Sequence, residues 1–401
     1  MKTISKKKSI TAAFVMFALV IVMMLFVAAP IQMNLGMTGV LITELIFLAM
    51  AIIGTLLMKG SLKEVFPLKK PQFRQIAGTV LLWIGAYFII LFSTMFIGYL
   101  FPEAMNQVST GMNDIITSVP FPVRYLIVAV SPAICEEAVH RGFILHYLKP
   151  INRKWLIVLI MGILFGLFHL DPMRFLATGI LGGVITYIAI ETENMFYPFL
   201  LHLLNNSLSV LASLATEGTD LEAANSMAYT LPVVGSYLMF LCVSPWLIWA
   251  GVSLVRPKNA EKKFATWKKV LVCSILSVVC IGGGMCITTV SMLTSSAINV
   301  AETTTIGDLE QQPYIHEFDI DKEGMQQLTA VMTTPAGTLN VSILDESGNV
   351  LHETAAKEFS GNIPLNLPAG HYTLKVEFLN PDEETYNESD PVILTFILMQ
   401  L

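Results

Sequence analysis

Charge is what this chain has least of. Only 13% of its 401 residues are Asp, Glu, Lys or Arg, against ~25% in an ordinary soluble domain. With 54% hydrophobic residues and a mean hydropathy of +0.66, one soluble globular unit is excluded and a polytopic membrane protein is implied. Cysteine is also scarce. The five, Cys135, Cys242, Cys273, Cys280 and Cys286, all fall in hydrophobic runs and none belongs to a metal-type CxxC pair. A disulfide framework is therefore not expected to carry the fold, and these residues read as small apolar fillers. No HExxH occurs, which removes the zincin motif. No internal repeat stands out, which argues against an ion or proton transporter built from inverted halves. Nothing points to a nucleic-acid partner.

The few charges are segregated. Of the 24 Lys and Arg, 18 fall in four places: Lys2 to Lys8, Lys59 to Arg74, Lys149 to Lys154 and Arg256 to Lys269. Between them lie apolar runs of bilayer length, which takes ~20 residues. The runs are about Ile10–Ile31, Met37–Met58, Ile76–Phe101, Pro122–Leu148, Trp155–His169, Phe175–Ile190, Met195–Leu214, Leu231–Val255 and Val270–Leu293. The first is long for a signal peptide and reads as an uncleaved helix. The expectation is a mainly α transmembrane bundle of about nine spans over residues 1–293. Short cytoplasmic loops carry excess Lys and Arg. All four basic clusters then fall on one side, and the acidic loop with Glu217, Asp220 and Glu222 on the other. That places the amino terminus in the cytoplasm and the carboxy-terminal region outside, in a plasma membrane of bacterial type.

After Leu293 the composition changes. Residues 294–312 read as a polar linker. Residues 313–401 carry short alternating runs: Tyr314–Ile320, Gln327–Thr333, Thr338–Leu344, Val350–Phe359, Ile363–Leu367, Tyr372–Leu379 and Val392–Leu398. Turn residues separate them, including Ser347-Gly348-Asn349 and Pro368-Ala369-Gly370. About seven strands in ~90 residues predict a small extracytoplasmic β-sandwich. The strand spacing and the Pro-Ala-Gly-His-Tyr turn resemble a pre-peptidase carboxy-terminal domain.

The fourth run contains Glu136-Glu137-Ala138-Val139-His140-Arg141. Ionisable groups at membrane depth cost from ~2.5 to more than ~10 kcal/mol each, so four within six residues mark a functional site facing the protein interior or a salt-bridged packing knot. On a helix, Glu137 and Arg141 share a face, acid before base, which suits an ion pair. That leaves Glu136 free for chemistry. Two further runs carry polar residues at helical spacing: Phe165 with His169, and His202 with Asn206. Either histidine alone could be a hydrogen-bonded packing residue. Depth argues for convergence. Glu136 lies 13 residues from Lys149 and His169 lies 15 from Lys154, roughly 20 and 22 Å into the membrane. His202 and Asn206 lie 8 and 12 residues past Asn194, roughly 12 and 18 Å deep. Glu44, a lone carboxylate in the second run, reads as a helix-contact hydrogen bond.

Together the three stations resemble the CAAX-protease and bacteriocin-processing (CPBP, or Abi) family of intramembrane proteases, whose hallmarks are EExxxR, FxxxH and HxxxN on separate helices. The resemblance covers about residues 120–215. It implies an endopeptidase acting on membrane-embedded or lipid-modified peptides and proteins. Glu136 matches the general base and His169 its partner in holding water. His202 and Asn206 match the oxyanion-stabilising groups. Glu137, Arg141 and Phe165 match residues that shape the site. Members are often labelled metalloproteases. If zinc were bound, Glu136, His169 and His202 would be the ligands. Without an HExxH, a metal-free glutamate mechanism is the expectation. The competing reading is a non-catalytic bacteriocin-immunity or scaffold protein that keeps the fold and its polar knot.

Overall fold

The computed structural model describes residues 5–215, 225, 228–257, 265–320, 324–380 and 384–400. The acidic loop at Glu217, Asp220 and Glu222 lies outside them. The chain divides into two compact units, Met1–Cys286 and Ile287–Leu401.

The first unit is helical: α1 (Lys6–Met23), α2 (Ala29–Leu57), α3 (Phe73–Leu100), α4 (Pro102–Thr117), α5 (Phe121–Ile151), α6 (Lys154–Phe168), α7 (Pro172–Thr192), α8 (Phe196–Ala215), α9 (Leu231–Val255) and most of α10 (Thr266–Ser295), whose last turns from Ile287 belong to the second unit. Among the described residues, six helices are long and apolar enough to cross a membrane, or seven if the bent pair α4 and α5 counts as one span. The expected count of about nine is not reached by this measure, for two reasons. The stretch Lys6–Leu57 counts once although it has 52 residues, roughly 78 Å of helix against a ~30 Å hydrocarbon core. Gly36, in a left-handed conformation (φ 54°), breaks it, and Gly54 of one arm packs directly on Met16 of the other. The second reason is α6, whose 15 residues make only ~22 Å.

The packing that matters most brings α2, α6, α7 and α8 around α5. α7 lies against α6 and α3, while α2 and α8 flank Ser131–Glu137 of α5. The α6–α7 contact is close because small residues line it. A Cβ on Gly182 would stand 2.6 Å from Cβ of Phe165, so only glycine lets the two helices meet at that level. α5 is continuous but carries two wider, π-type stretches, Tyr125–Val130 and Ala138–Ile144, on either side of the glutamate pair. Such widened turns often mark functional sites.

The second unit is a β-sandwich of eight strands, β1 (Ser296–Thr305), β2 (Tyr314–Ile320), β3 (Gly324–Thr333), β4 (Thr338–Asp345), β5 (Val350–Ala356), β6 (Glu358–Leu367), β7 (Gly370–Leu379) and β8 (Pro391–Gln400). They form two antiparallel sheets, β1-β8-β3-β6 and β2-β7-β4-β5. One apolar core, including Phe318, Leu328, Leu374 and Phe396, fills the unit. Residues 294–312, expected as a linker, are largely ordered elements of this unit. Ser296–Thr305 pairs along its length with β8, and its Ile298 and Val300 are buried. A short helix, Ile306–Gln311, follows, capped by the Thr305 hydroxyl. Asn, Thr and Glu on its outer face made this strand look like linker, although threonine suits strands well. The run expected as one strand from Val350 to Phe359 divides into β5 and the start of β6.

Candidate active site

Glu136 and Glu137 point to different neighbours. Glu137 is fully buried and forms the ion pair with Arg141 that their spacing predicts, Nη1 to Oε1 at 2.9 Å. The same Oε1 accepts a second hydrogen bond, 2.8 Å from His202 Nδ1 on α8. Arg141 also donates through Nη2 to the Gly182 carbonyl at 2.8 Å, and its guanidinium lies 4.5 Å from the centre of the Phe165 ring. One carboxylate thus ties α5 to α8, and its arginine ties α5 to α7. Cations over an aromatic face gain ~0.5–2 kcal/mol, most where water is excluded.

Phe165 is the post around which the ionisable groups stand. Its ring meets the rings of His140 at 5.0 Å, His169 at 5.0 Å and His202 at 5.8 Å, all close to edge-on. His140 is held between Phe165 and Phe168 and bonds through Nδ1 to the Glu136 carbonyl at 2.9 Å. It is a packed neighbour of the site.

Glu136, His169, His202 and Asn206 do come together. They line one cavity of about 300 Å³. Glu136 Oε2 is buried without a hydrogen-bond partner and lies 3.9 Å from His202 Nε2. His169 Nδ1 is 2.8 Å from the Phe165 carbonyl. A carbonyl only accepts, so Nδ1 carries the hydrogen there and Nε2 keeps its lone pair. The same reasoning puts a hydrogen on His202 Nδ1, facing Glu137. Asn206 donates from Nδ2 to the Val128 carbonyl at 3.0 Å, which leaves its second N–H to serve the cavity.

Polar lining residues outside the expected set include Glu44, Arg174 and Asn205. Glu44, expected as a helix-contact hydrogen bond, also lines the Glu136 cavity. It is buried on α2 and interacts with Glu136 electrostatically. Arg174, at the start of α7, interacts electrostatically with both Glu136 and Asp171. Asn205 donates to Asn206 Oδ1 at 3.3 Å. The signal available in the sequence was an ionisable residue inside or beside an apolar run.

The zinc alternative needs Glu136, His169 and His202 to converge. Among the described residues no three His, Cys, Asp or Glu side chains form a group able to hold a metal ion.

The molecule is thus a helical membrane bundle with a Glu/His/Asn cavity assembled from α5, α6 and α8 and walled on another side by α2. Residues 118–208 match the model of the family described as type II CAAX prenyl endopeptidase Rce1-like. Over 181 residues the chain is 25% identical to a Bacillus subtilis (strain 168) protein named "Putative membrane peptidase YdiL", covering 44% of this chain and 72% of that protein. The segment that carries all three motifs is thus the part of the chain that is similar to the Rce1-like family. The α1–α2 arms, α9, α10 and the β-sandwich lie beyond the family match.

Proposed function

We propose that the chain is an intramembrane endopeptidase, hydrolysing peptide bonds of membrane-embedded or lipid-modified peptide or protein substrates, with Glu136 as the base that activates water. The observation that carries this reading is the unpartnered Glu136 oxygen in a cavity shared with His169, His202 and Asn206. Water held between Glu136 and His169 Nε2 loses a proton to Glu136 as its oxygen attacks the scissile carbonyl carbon. Asn206 faces the resulting oxyanion with its free N–H. His202 adds a donor from Nε2 when its ring carries both hydrogens, with Glu137 as counter-charge at Nδ1. As the C–N bond breaks, the proton on Glu136 passes to the departing amine. No metal enters the scheme. The family match supports proteolysis, and its described CAAX prenyl substrates support a lipid-modified one. Expressing Glu136→Ala in the native host tests the reading. Specific membrane proteins should accumulate uncut, and an unchanged membrane proteome would count against it.

Two further expectations belong to this reading. Purified active enzyme should contain no stoichiometric zinc and should keep its activity through prolonged chelation. Near-equimolar zinc, with activity lost on chelation and restored on re-addition, would overturn the metal-free scheme. The proposed topology is nine crossings: two arms in Lys6–Leu57, then α3 and α5 to α10, with the amino terminus cytoplasmic and the β-sandwich outside a bacterial plasma membrane. The segregated basic loops support it. Protease added to spheroplasts should release a fragment containing Pro313 to Leu401. Protection of that region until the membrane is breached would show the orientation to be wrong.

A further inference from the structure

A second cavity, of about 310 Å³, lies between the ends of α5 and α6 and the turn after α7, on the side of the bundle that carries the basic loops. It shares no lining residue with the Glu136 cavity, and Arg141, the partner of Glu137, lines it. The Arg141 side chain has both terminal nitrogens engaged by Glu137 and Gly182 and its Nε–H buried without a partner. A buried donor left unpaired is costly, ~1–3 kcal/mol or more for a charged group, so the position favours an acceptor.

The charges around the cavity do not cancel. Lys154 pairs with Glu191 at 2.5 Å, and Glu193 pairs with Lys69 at 3.5 Å. Lys149 and Arg153 also line the cavity, and among the described residues no acid pairs with either. Directly after Arg153, α6 starts at Lys154 with no side-chain cap on its first N–H groups, which adds a partial positive charge. The opposite wall is fixed: Asn194 accepts from the Lys69 N–H at 3.1 Å and donates to its carbonyl at 3.0 Å. Depth is marked by Trp155, 66% exposed and beneath the Lys154 ammonium at 5.1 Å. Tryptophan beside lysine is the pattern of the membrane–water boundary.

We propose that this cavity binds a phosphate group, presented by the headgroup of an anionic phospholipid. Lys149 and Arg153 supply the charge, the uncapped start of α6 supplies N–H donors, and Trp155 sets the site at headgroup level. The bound group braces Arg141, and through it the Glu137 carboxylate. The assignment does not depend on the protease reading.

The test is a lipid titration of purified full-length protein in neutral detergent, read by thermal unfolding and by native mass spectrometry. Phosphatidylglycerol should raise the melting temperature saturably, and phosphatidylcholine should not. Lys149→Ala with Arg153→Ala should weaken the apparent affinity about thirtyfold, from the two cations lost. Lys63→Ala with Lys70→Ala removes the same charge outside the cavity and should leave the affinity unchanged. A third arm uses inorganic phosphate. A saturable shift at millimolar phosphate that the Lys149/Arg153 variant loses, with no preference between the two lipids, would keep the site and assign it to a free phosphate. Equal responses to both lipids without a phosphate response would overturn the site. So would equal losses in the two double variants, because the effect would then be general surface charge.

Discussion

Arg141→Ala should cost the folded protein ~3–5 kcal/mol, the range for removing one member of a buried ion pair. The reason lies in what remains. Glu137 is fully buried, and without Arg141 its carboxylate keeps only the His202 bond. The Gly182 carbonyl loses its donor, and the Phe165 ring loses the guanidinium against it. Because one carboxylate fixes both Arg141 and His202, the variant should also misplace His202 and lose activity beyond what lower abundance explains. Arg141→Lys keeps the charge without the planar fork that reaches Glu137 and Gly182 together, so it should recover only part of the stability. Thermal unfolding of the purified proteins in detergent checks this. An Arg141→Ala protein as stable as wild type would remove the pair from its bracing role.

Asn206→Ala should lower kcat by ~10²–10³, the usual effect of losing one oxyanion donor. The double variant with Glu136→Gln should be little worse than Glu136→Gln alone, because groups that act in one step are not additive. Asn206 also donates to the Val128 carbonyl at 3.0 Å, so the alanine variant needs a folding control. A loss confined to kcat, with KM and melting temperature held, separates catalysis from packing. Additive losses would mean that Asn206 and Glu136 serve different steps.

The sequence made the periodic parts legible. Apolar runs gave the helices, and i,i+4 spacing gave the Glu137–Arg141 pair, because both are local patterns. The grouping of Glu136, His169, His202 and Asn206 was legible through depth along three helices. What stayed hidden was contact between elements distant in the chain. Glu44 meets Glu136 across 92 residues, and no local spacing announces such a pair. The His202–Glu137 bond is hidden for the same reason. Phe165 read as one motif residue, whereas its ring touches three histidines and Arg141. β1 was missed because its threonines and asparagine resemble linker, while its buried face shows only Ile298 and Val300. The hairpin at Gly36 needed a backbone conformation that composition does not display.

The central claim is that Glu136 is the base for hydrolysis inside this cavity. The most direct measurement is cleavage of a trapped native substrate by purified Glu136→Gln in liposomes, beside wild type and with folding checked by thermal unfolding. Glutamine keeps the shape of the side chain and removes its basicity. The account predicts a folded protein that still binds the substrate and whose turnover nearly vanishes. Substantial cleavage by a well-folded Glu136→Gln would contradict it, and would leave the buried glutamates as a packing knot between helices.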